Sequence, residues 1–512
     1  MLKRLRHRQK TSRKNRIRAV AGLLILSVLL LSGCSPKKEA QEQTDREALP
    51  LIRMVTYRTT ESVKDEKGVE QAASAYLEQE LGCRLEIETA VMGNYSQKQS
   101  QVFDSEEQAD LLVIYGQSLY DCVEKGLVSP LDELLSAQGQ GIVKALNRDY
   151  LTGGHVDGIR YGVPTVKDYA KQTAFEYRSD IAEKYGLDME SVDSIEGLED
   201  VFLQLEEKTD KVIPVGMQYS FWPRLTADAF GNPFGALMNY GQDTQVVNPF
   251  ETGEFESWVR RMYEWRQRGW IADDFADNLY NIHYLRSGLV LGCFSTSCPG
   301  FDVQESRQTG YPIKTVVLDQ ACITSDANTV FWTIPKKSQQ KEMAMEVLNL
   351  LYTDSYFQNL LTYGIEGKHY EVRENGDIGY PFGVNARTSG YAQFLGWMYG
   401  NEYITYQWEG NEPNLWKELE IFNDQALLSK AFGIDYEDSQ VREEIKACQG
   451  VYSQYYSGLV CGRLEPDIYL PLFQKELRKS GIETIIEDKQ GQLNQYLSGM
   501  SRYNQAEQQP EP

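Results

Sequence analysis

Histidine and paired cysteine, the residues that build zinc centres, are scarce in this sequence. It has 4 histidines and 8 cysteines in 512 residues, and no Cys-x-x-Cys pair occurs. Cys293 and Cys298 lie five positions apart with no histidine beside them, which does not match the ligand spacing of a zinc site. Seven cysteines follow Cys34, so at least one of them is free or pairs between chains. We therefore expect no metal and no cofactor.

The common signatures of catalysis and nucleotide binding are also missing. The sequence contains no Gly-x-Ser-x-Gly, no His-Glu-x-x-His and no Gly-Lys-Ser/Thr phosphate loop. Two carboxylates about 5 to 10 Å apart could serve a glycoside hydrolase, but 74 acidic residues produce such pairs by chance. We expect a protein that is not an enzyme, and an anchored glycoside hydrolase is the weaker alternative.

Positive charge is low everywhere except at the N-terminus. The chain has 52 Lys and Arg against 74 Asp and Glu, a net charge of −22, and nine of the basic residues lie within the first eighteen positions. The other 43 basic residues leave an acidic chain, which phosphate backbones and anionic headgroups repel. This composition excludes nucleic acid as a partner and disfavours membrane attachment through a basic patch.

The basic N-terminus precedes an apolar run of thirteen residues, 19–31. As a helix this run spans about 20 Å, short of the roughly 30 Å hydrocarbon core, so residues 1–33 are predicted to be a signal peptide. The run ends in Leu31-Ser32-Gly33-Cys34, which resembles the bacterial lipobox. That resemblance implies a lipoprotein with an acylated (palmitate-type) Cys34, extracytoplasmic and anchored to the cell membrane.

The segments that flank the folded part are polar. Residues 34–50 have no apolar periodicity and are predicted to be a flexible tether. Residues 499–512 are predicted to be a disordered tail. The chain between them is long enough for two or three domains with a sizeable core.

Strand-like and helix-like segments alternate in the first part of the chain. Residues 52–57, 85–89 and 111–115 have β-type patterns, and the last is a continuous apolar run typical of a strand covered on both faces. Helix-like composition occupies residues 69–81 and 97–103 between them. This order predicts an α/β fold with a parallel sheet whose ligands lie beyond the carboxyl ends of the strands.

Five stretches in the middle of the chain follow a recognisable order. They are residues 119–135, an Asp-Gly hairpin leading into Tyr161-Gly-Val-Pro, residues 175–188, the Gly-rich segment 287–294, and Val330-Phe-Trp-Thr-Ile-Pro with the helix after it. Their order resembles that of family 1 extracellular solute-binding proteins, the substrate-binding proteins of ATP-binding cassette (ABC) transporters.

The C-terminal third carries a more specific resemblance. Its stretches Tyr363-Gly-Ile-Glu-Gly-Lys-His-Tyr-Glu, Trp397-Met-Tyr-Gly-Asn-Glu-Tyr, Trp408-Glu-Gly and Asn494-Gln-Tyr-Leu resemble LipO-type lipoproteins. The two resemblances together cover nearly all of the chain after Cys34.

The resemblance implies a two-lobed periplasmic-binding-protein-like fold of type II. Each lobe is a mostly parallel sheet flanked by helices, with a hinge between the lobes. The implied ranges are 51–164 and 317–375 for lobe 1 and 165–316 and 376–498 for lobe 2. Crossings are expected near Thr165 and Val317. A monomer would close on a small-molecule solute in the cleft and deliver it to ABC permease subunits.

Aromatic residues make up 11% of the chain, including 32 tyrosines and 8 tryptophans. Tyr and Trp combine an apolar face with a polar edge, which suits stacking on sugar rings. Strand ends and inter-lobe turns are where both sheets can reach one ligand. We predict a carbohydrate site, for an oligosaccharide in particular, formed by Tyr57, Thr59, Asn94, Tyr95, Tyr115, Tyr161, Thr165, Trp222, Phe294, Ser295, Trp332, Trp397 and Trp408.

Other residues in the same segments have a structural interpretation. Trp258, Trp265 and Trp270 follow a helical pattern and are predicted to lie in the core, and Asp157-Gly158 is predicted to be a hairpin turn. Core packing is also the alternative for each candidate tryptophan. Two alternatives to carbohydrate transport stay open. The solute could be a peptide or another small molecule, or the protein could be the sensor partner of a membrane histidine kinase.

Overall fold

The structure is a computed structural model of the full chain. It describes residues 48–58, 63–104, 109–146, 150, 153–216, 226–272, 281–327, 330–391 and 396–507. The lipobox cysteine Cys34 and the candidates Thr59 and Trp222 lie outside the described residues.

Seventeen strands are present in the described part of the chain. They are β1 Leu51–Arg58, β2 Arg84–Val91, β3 Leu111–Tyr115, β4 His155–Val156, β5 Ile159–Arg160, β6 Val163–Pro164, β7 Gln172–Arg178, β8 Ile213–Gly216, β9 Ala236–Leu237, β10 Val246–Val247, β11 Val290–Ser297, β12 Ile313–Val317, β13 Cys322–Ile323, β14 Val330–Thr333, β15 Glu371–Val372, β16 Ile378–Gly379 and β17 Leu427–Leu428.

The α-helices alternate with these strands and then dominate the C-terminal part. The main ones are α1 Glu66–Glu80, α2 Tyr95–Asp104, α3 Leu119–Glu124, α4 Asp132–Ala137, α5 Gln140–Ala145, α6 Ser179–Tyr185, α7 Ile195–Lys208, α8 Gly253–Gln267, α9 Asn281–Ser287, α10 Phe301–Thr309, α11 Lys341–Thr353, α12 Ser355–Tyr363, α13 Leu415–Gln425, α14 Arg442–Val460, α15 Pro466–Lys479 and α16 Ile482–Glu507. Within the described ranges, no helix is both long and apolar enough to cross a membrane.

A five-stranded sheet with the order β2-β1-β3-β14-β6 forms the first lobe. Strand β1 pairs in parallel with β2 and β3, while β14 is antiparallel to β3 and β6. Four strands therefore share one direction and β14 alone is reversed. Every residue of β3 except the last is buried, as expected for a central strand with both faces covered.

A four-stranded sheet with the order β12-β7-β11-β8 forms the second lobe. Strand β7 is antiparallel to β12 and β11, and β8 is parallel to β11, so β7 alone is reversed. Trp258, Trp265 and Trp270 are at most 4% exposed in the core of this lobe, which confirms their predicted role. The helices α14, α15 and α16 bury Leu459, Phe473 and Ile485, among others, in the same core.

In the described part of the chain, three segments connect the lobes and lie side by side. The first runs from β6 to β7, the second from β12 to β14, and the third follows α13. Lys171 and Cys322 exchange two backbone hydrogen bonds of 2.9 and 3.0 Å, and β13 pairs in parallel with β17. Asn423, at the end of α13, accepts from Ala170 N and donates to Lys167 O. We call these joined segments the hinge.

The predicted alternation of strands and helices is confirmed in the first lobe. β1, β2 and β3 cover the three predicted strands, and α1 and α2 occupy the predicted helices. The hairpin turn is confirmed as well, because Asp157 and Gly158 have φ of 50° and 79° between β4 and β5. The α/β two-lobed fold class is therefore confirmed, with one reversed strand in each sheet.

Two segments differ from the predictions. Helix α16 continues to Glu507, so residues 499–507 of the predicted disordered tail are helical. The predicted ranges assign residues 376–498 to lobe 2, whereas Tyr391, Met398 and Tyr399 pack in the core of the first lobe. The reason is that the chain after α12 stays on the first lobe before it reaches the third hinge segment. In this stretch Met398 O accepts a hydrogen bond of 2.8 Å from Trp332 Nε1.

Candidate functional site

A cavity of about 500 Å³ lies between the two lobes, beside the hinge. The second lobe contributes the loop after β11 and helix α10, and the first lobe contributes the end of α12 and residues 396–402. Helix α13 closes a further side. Such a volume matches that of ordinary small-molecule sites.

Aromatic side chains form much of the cavity wall. Tyr363, Trp397, Trp408 and Trp416 all line it. The ring centroids of Tyr363 and Trp408 are 6.0 Å apart, and Trp416 stacks on Tyr403 at 6.0 Å. The Trp416 indole N–H donates to Thr405 O at 2.8 Å, so its position is fixed. Flat apolar faces held in this way can stack on the C–H faces of a cyclic ligand.

Asp168 and Cys298 form a polar corner of the cavity together with Lys171. Lys171 Nζ forms an ion pair with Asp168 Oδ2 and donates a hydrogen bond to Cys298 Sγ at 3.3 Å. The Cys298 thiol in turn donates to Asp168 Oδ2 at 3.5 Å. Burial lowers the pKa of Lys171, but Asp168 and Cys298 outweigh burial and raise that pKa above its usual value. Burial raises the pKa of the Cys298 thiol to about 12. The corner therefore presents a charged pair and a protonated thiol rather than a thiolate nucleophile.

Lys167 and Glu402 add a second polar surface to the cavity. Lys167 Nζ lies 5.7 Å from the centroid of the Trp397 ring, and burial lowers its pKa. Burial raises the pKa of the Glu402 carboxyl well above its usual range, and the nearby Asp168 carboxylate raises it further. The backbone N–H of Glu402 donates to Val166 O at 3.0 Å, which holds the residue against the hinge. These groups supply both donors and acceptors for ligand hydroxyl groups.

Arg307 of α10 connects the two lobes at the edge of the cavity. Its guanidinium donates to Glu409 O at 3.0 Å and lies 5.7 Å from the Trp408 ring centroid. Burial lowers the pKa of this guanidinium, although Tyr380, Tyr363 and Glu409 act in the opposite direction. Because α10 belongs to the second lobe and Trp408 packs with Tyr363, this contact depends on how the lobes approach each other.

Two of the sequence-predicted site residues, Trp397 and Trp408, line the cavity. Three others, Tyr57, Tyr95 and Tyr115, form a ring cluster behind Trp397. Tyr57 lies 5.9 Å from Trp397, 5.2 Å from Tyr95 and 5.0 Å from Tyr115, measured between ring centroids. Tyr57 and Tyr95 are fully buried, so in this structure they support the cavity wall from behind.

The other described candidates lie away from the cavity lining. Thr165 and Trp332 are fully buried in the first lobe, and Phe294 is buried between Trp258 and Trp265 in the second. The half-buried residues are Tyr161 and Ser295, and Asn94 is exposed before α2. That any of the named candidates contacts a ligand stays a prediction.

Several lining residues were not predicted from the sequence to contact a ligand. They are Lys167, Asp168, Cys298, Arg307, Tyr363, Glu402 and Trp416, among others. Two signals could have found some of them: Lys167 and Asp168 follow the predicted crossing at Thr165, and Tyr363 begins a stretch used for the family resemblance. Trp416 lies on α13 among charged residues and gives no such signal.

Two family models and a carbohydrate transport protein are similar to this chain. A model described as bacterial extracellular solute-binding protein matches residues 60–356, and a second, described as a domain of unknown function (DUF3502), matches residues 430–498. A carbohydrate ABC transporter substrate-binding protein of Streptococcus pneumoniae serotype 4 is 28% identical over 479 residues, covering 90% of this chain and 93% of the relative.

Solved structures agree with the family models. The N-glycan transport solute binding protein NgtS of Streptococcus pneumoniae has a TM-score of 0.79 and 25% identity, covering 88% of this chain and 99% of that one. NgtS in complex with Man5GlcNAc has a TM-score of 0.67 at 24% identity, covering 88% and 99%. An extracellular solute-binding protein of Bifidobacterium longum subsp. infantis, 14% identical, shares the fold with a TM-score of 0.62, covering 88% and 99%.

The matched model covers more than half of the chain, and the relative that is 28% identical is the substrate-binding protein of a transporter. The two lobes, the hinge and the cavity between them are the architecture that such binding requires. This chain belongs to the bacterial extracellular solute-binding protein family.

Proposed function

We propose that this protein is the lipid-anchored receptor of an ABC importer and that it captures an oligosaccharide in the cavity between its lobes. It acts as a monomer, without catalysis, and passes the glycan to permease subunits. The resemblance to LipO-type lipoproteins belongs to this proposal.

The aromatic wall of the cavity carries the proposal. Three tryptophans and a tyrosine surround a space that also holds Lys167, Asp168 and Glu402. Sugar rings need apolar faces for stacking and polar groups for their hydroxyls, and this wall offers both. The relative from Streptococcus pneumoniae is a carbohydrate transport protein and NgtS is an N-glycan transport protein, which supports a glycan as the solute.

Calorimetric titration of the purified protein tests the solute class. Man1GlcNAc, Man5GlcNAc and neutral peptides of similar size are titrated into the wild type and into Trp408→Ala. We expect heat from the glycans and roughly a 10-fold or greater loss of affinity in Trp408→Ala, because a buried aromatic contact contributes about 1.5–3 kcal/mol. Trp270→Phe, in the core of the second lobe, is the matched control.

The possible results separate the alternatives. Heat from the peptides alone would overturn the assignment to carbohydrate. Shortened glycan in the titration mixture, seen by mass spectrometry and lost on changing Asp168 or Glu402, would instead indicate an anchored glycoside hydrolase.

The lipid anchor is tested separately in cells. Residues 1–33 act in the proposal as a signal peptide, and Cys34 carries the acyl chains that hold the protein on the membrane. Cys34→Ser is expected to move the protein from the membrane fraction to the medium, whereas Lys38→Ala leaves it in place. Membrane retention of Cys34→Ser would exclude the thioether lipid as the anchor.

A further inference from the structure

A hairpin beside the cavity ends in a fully exposed phenylalanine. Strands β15 and β16 form this hairpin, and Tyr380, Pro381 and Phe382 follow it. The relative exposure of Phe382 is 103%, the highest among the large hydrophobic side chains that the structure describes as exposed. We call Tyr380, Pro381 and Phe382 the outer shelf.

The outer shelf is held in place by hydrogen bonds. Val384 N donates to Pro381 O at 2.9 Å and closes a turn with Phe382 at its corner. Gly383 has φ of +79° in that turn, a conformation that favours glycine at the third position of a type II turn. Arg373 donates to Tyr380 O at 2.8 Å and to Glu409 Oε2 at 3.0 Å. An exposed aromatic ring therefore sits on a braced turn.

The outer shelf is continuous with the aromatic wall of the cavity. The Tyr380 and Trp408 ring centroids are 4.7 Å apart, with an angle of 66° between the rings. Trp408 lines the cavity and contacts Tyr363 in turn. The Cα atoms of Tyr380 and Phe382 can be at most about 7 Å apart, because only Pro381 lies between them along the chain. Aromatic faces thus extend from the cavity to the surface.

We propose that the outer shelf is a second binding surface for the part of a branched glycan that projects out of the cavity. This inference rests on the proposed function. A cavity of about 500 Å³ has the volume of a site for a drug-sized ligand, and a glycan of six sugar units is larger than such a ligand. Phe382 has no polar edge, so it contacts the apolar C–H face of a neutral sugar ring.

The test compares two glycans of different size. Calorimetric titrations measure the affinity ratio of Man5GlcNAc to Man1GlcNAc for the full-length protein and for Phe382→Ala, Phe382→Trp and Tyr356→Ala. Tyr356 is the matched control because it is 56% exposed on α12 and packs on Tyr76. We expect the ratio to fall by about 2- to 10-fold in Phe382→Ala, to be retained in Phe382→Trp and to be unchanged in Tyr356→Ala.

Each remaining result decides against part of the argument. An unchanged ratio in Phe382→Ala, with both glycans binding the wild type, overturns the outer shelf and leaves the proposed function standing. Equal falls in Phe382→Ala and Tyr356→Ala also overturn it, because any exposed aromatic residue would then have the same effect. Failure of the wild type to bind either glycan overturns the proposed function and the outer shelf with it.

Discussion

Glu176 is a carboxyl group buried in the second lobe, away from the cavity. It lies on β7, is 1% exposed, and accepts a hydrogen bond of 2.6 Å from Asn281 Nδ2. Burial raises the pKa of Glu176 to about 7; the Asn281 bond opposes this change and the Glu305 carboxylate adds to it. The ionised Glu176 carboxylate therefore destabilises the folded state.

This burial predicts a pH dependence of stability. The folded state keeps the proton up to about pH 7, whereas the unfolded chain releases it near 4.5. Stability from this group therefore falls as pH rises through that window, and the loss is complete above it. We compare the free energy of unfolding of Glu176→Gln with that of the wild type at two pH values. The gain in the variant should be larger at pH 8 than at pH 4 by roughly 2–3 kcal/mol.

Chemical denaturation at the two pH values measures this difference. Glu133→Gln, at an exposed position on α4, is the control and should show little change at either pH. A Glu176→Gln effect of the same size at pH 4 and pH 8 would show that the carboxyl does not titrate differently in the folded state.

Single residues of the site were predicted from the sequence only in part. Trp397 and Trp408, which lie in the stretches that resemble LipO-type lipoproteins, do line the cavity, whereas the aromatic residues chosen at strand ends do not. Tyr57 lies at the end of β1, but Trp397, far along the chain, packs over the same cluster and leaves Tyr57 buried. Local sequence patterns carry no information about which later segment covers a strand end.

At the scale of elements, the C-terminal helix α16 holds a loop of the second lobe through Lys489. This lysine is fully buried, and its ammonium donates to Ala229 O, Asn232 O and Gly235 O at 2.7, 2.6 and 3.0 Å. Its Nζ also lies 5.0 Å from the Phe230 ring centroid. All three N–H groups are thus used to fix residues 229–235 on the helix.

Removing that ammonium should loosen the second lobe. Lys489→Met leaves three carbonyl oxygens without their donor, so we expect a loss of about 3 kcal/mol or more in the free energy of unfolding, measured by urea denaturation. Lys479→Met, which removes an exposed pair with Glu476, should cost less than about 1 kcal/mol. Equal losses in the two variants would show that the buried Lys489 ammonium contributes no more to the free energy of unfolding than an exposed lysine does.

Elements were more predictable from the sequence than the contacts between them. The strands β1 to β3 have the hydrophobic patterns of covered strands, so their places and the helices between them were predicted correctly. The reversed strands β7 and β14 were not, because strand direction depends on pairing with distant segments. Helix α13 forms a cavity wall, yet its sequence is that of an ordinary charged surface helix.

At the scale of the whole molecule, the protein consists of two lobes joined at the hinge. The lobes have separate cores, and three hydrogen-bonded segments join them.

A ligand that contacts both lobes should shift this arrangement toward closure. Residues of α10 and of the first lobe line opposite sides of the cavity, so a bound glycan gains more contacts in the closed state and raises its population. Small-angle scattering should then show a smaller radius of gyration with saturating Man5GlcNAc than without it. Trp408→Ala at the same glycan concentration should compact less, since it binds more weakly. A radius that stays constant while calorimetry reports saturation would mean that the cavity fills without movement at the hinge.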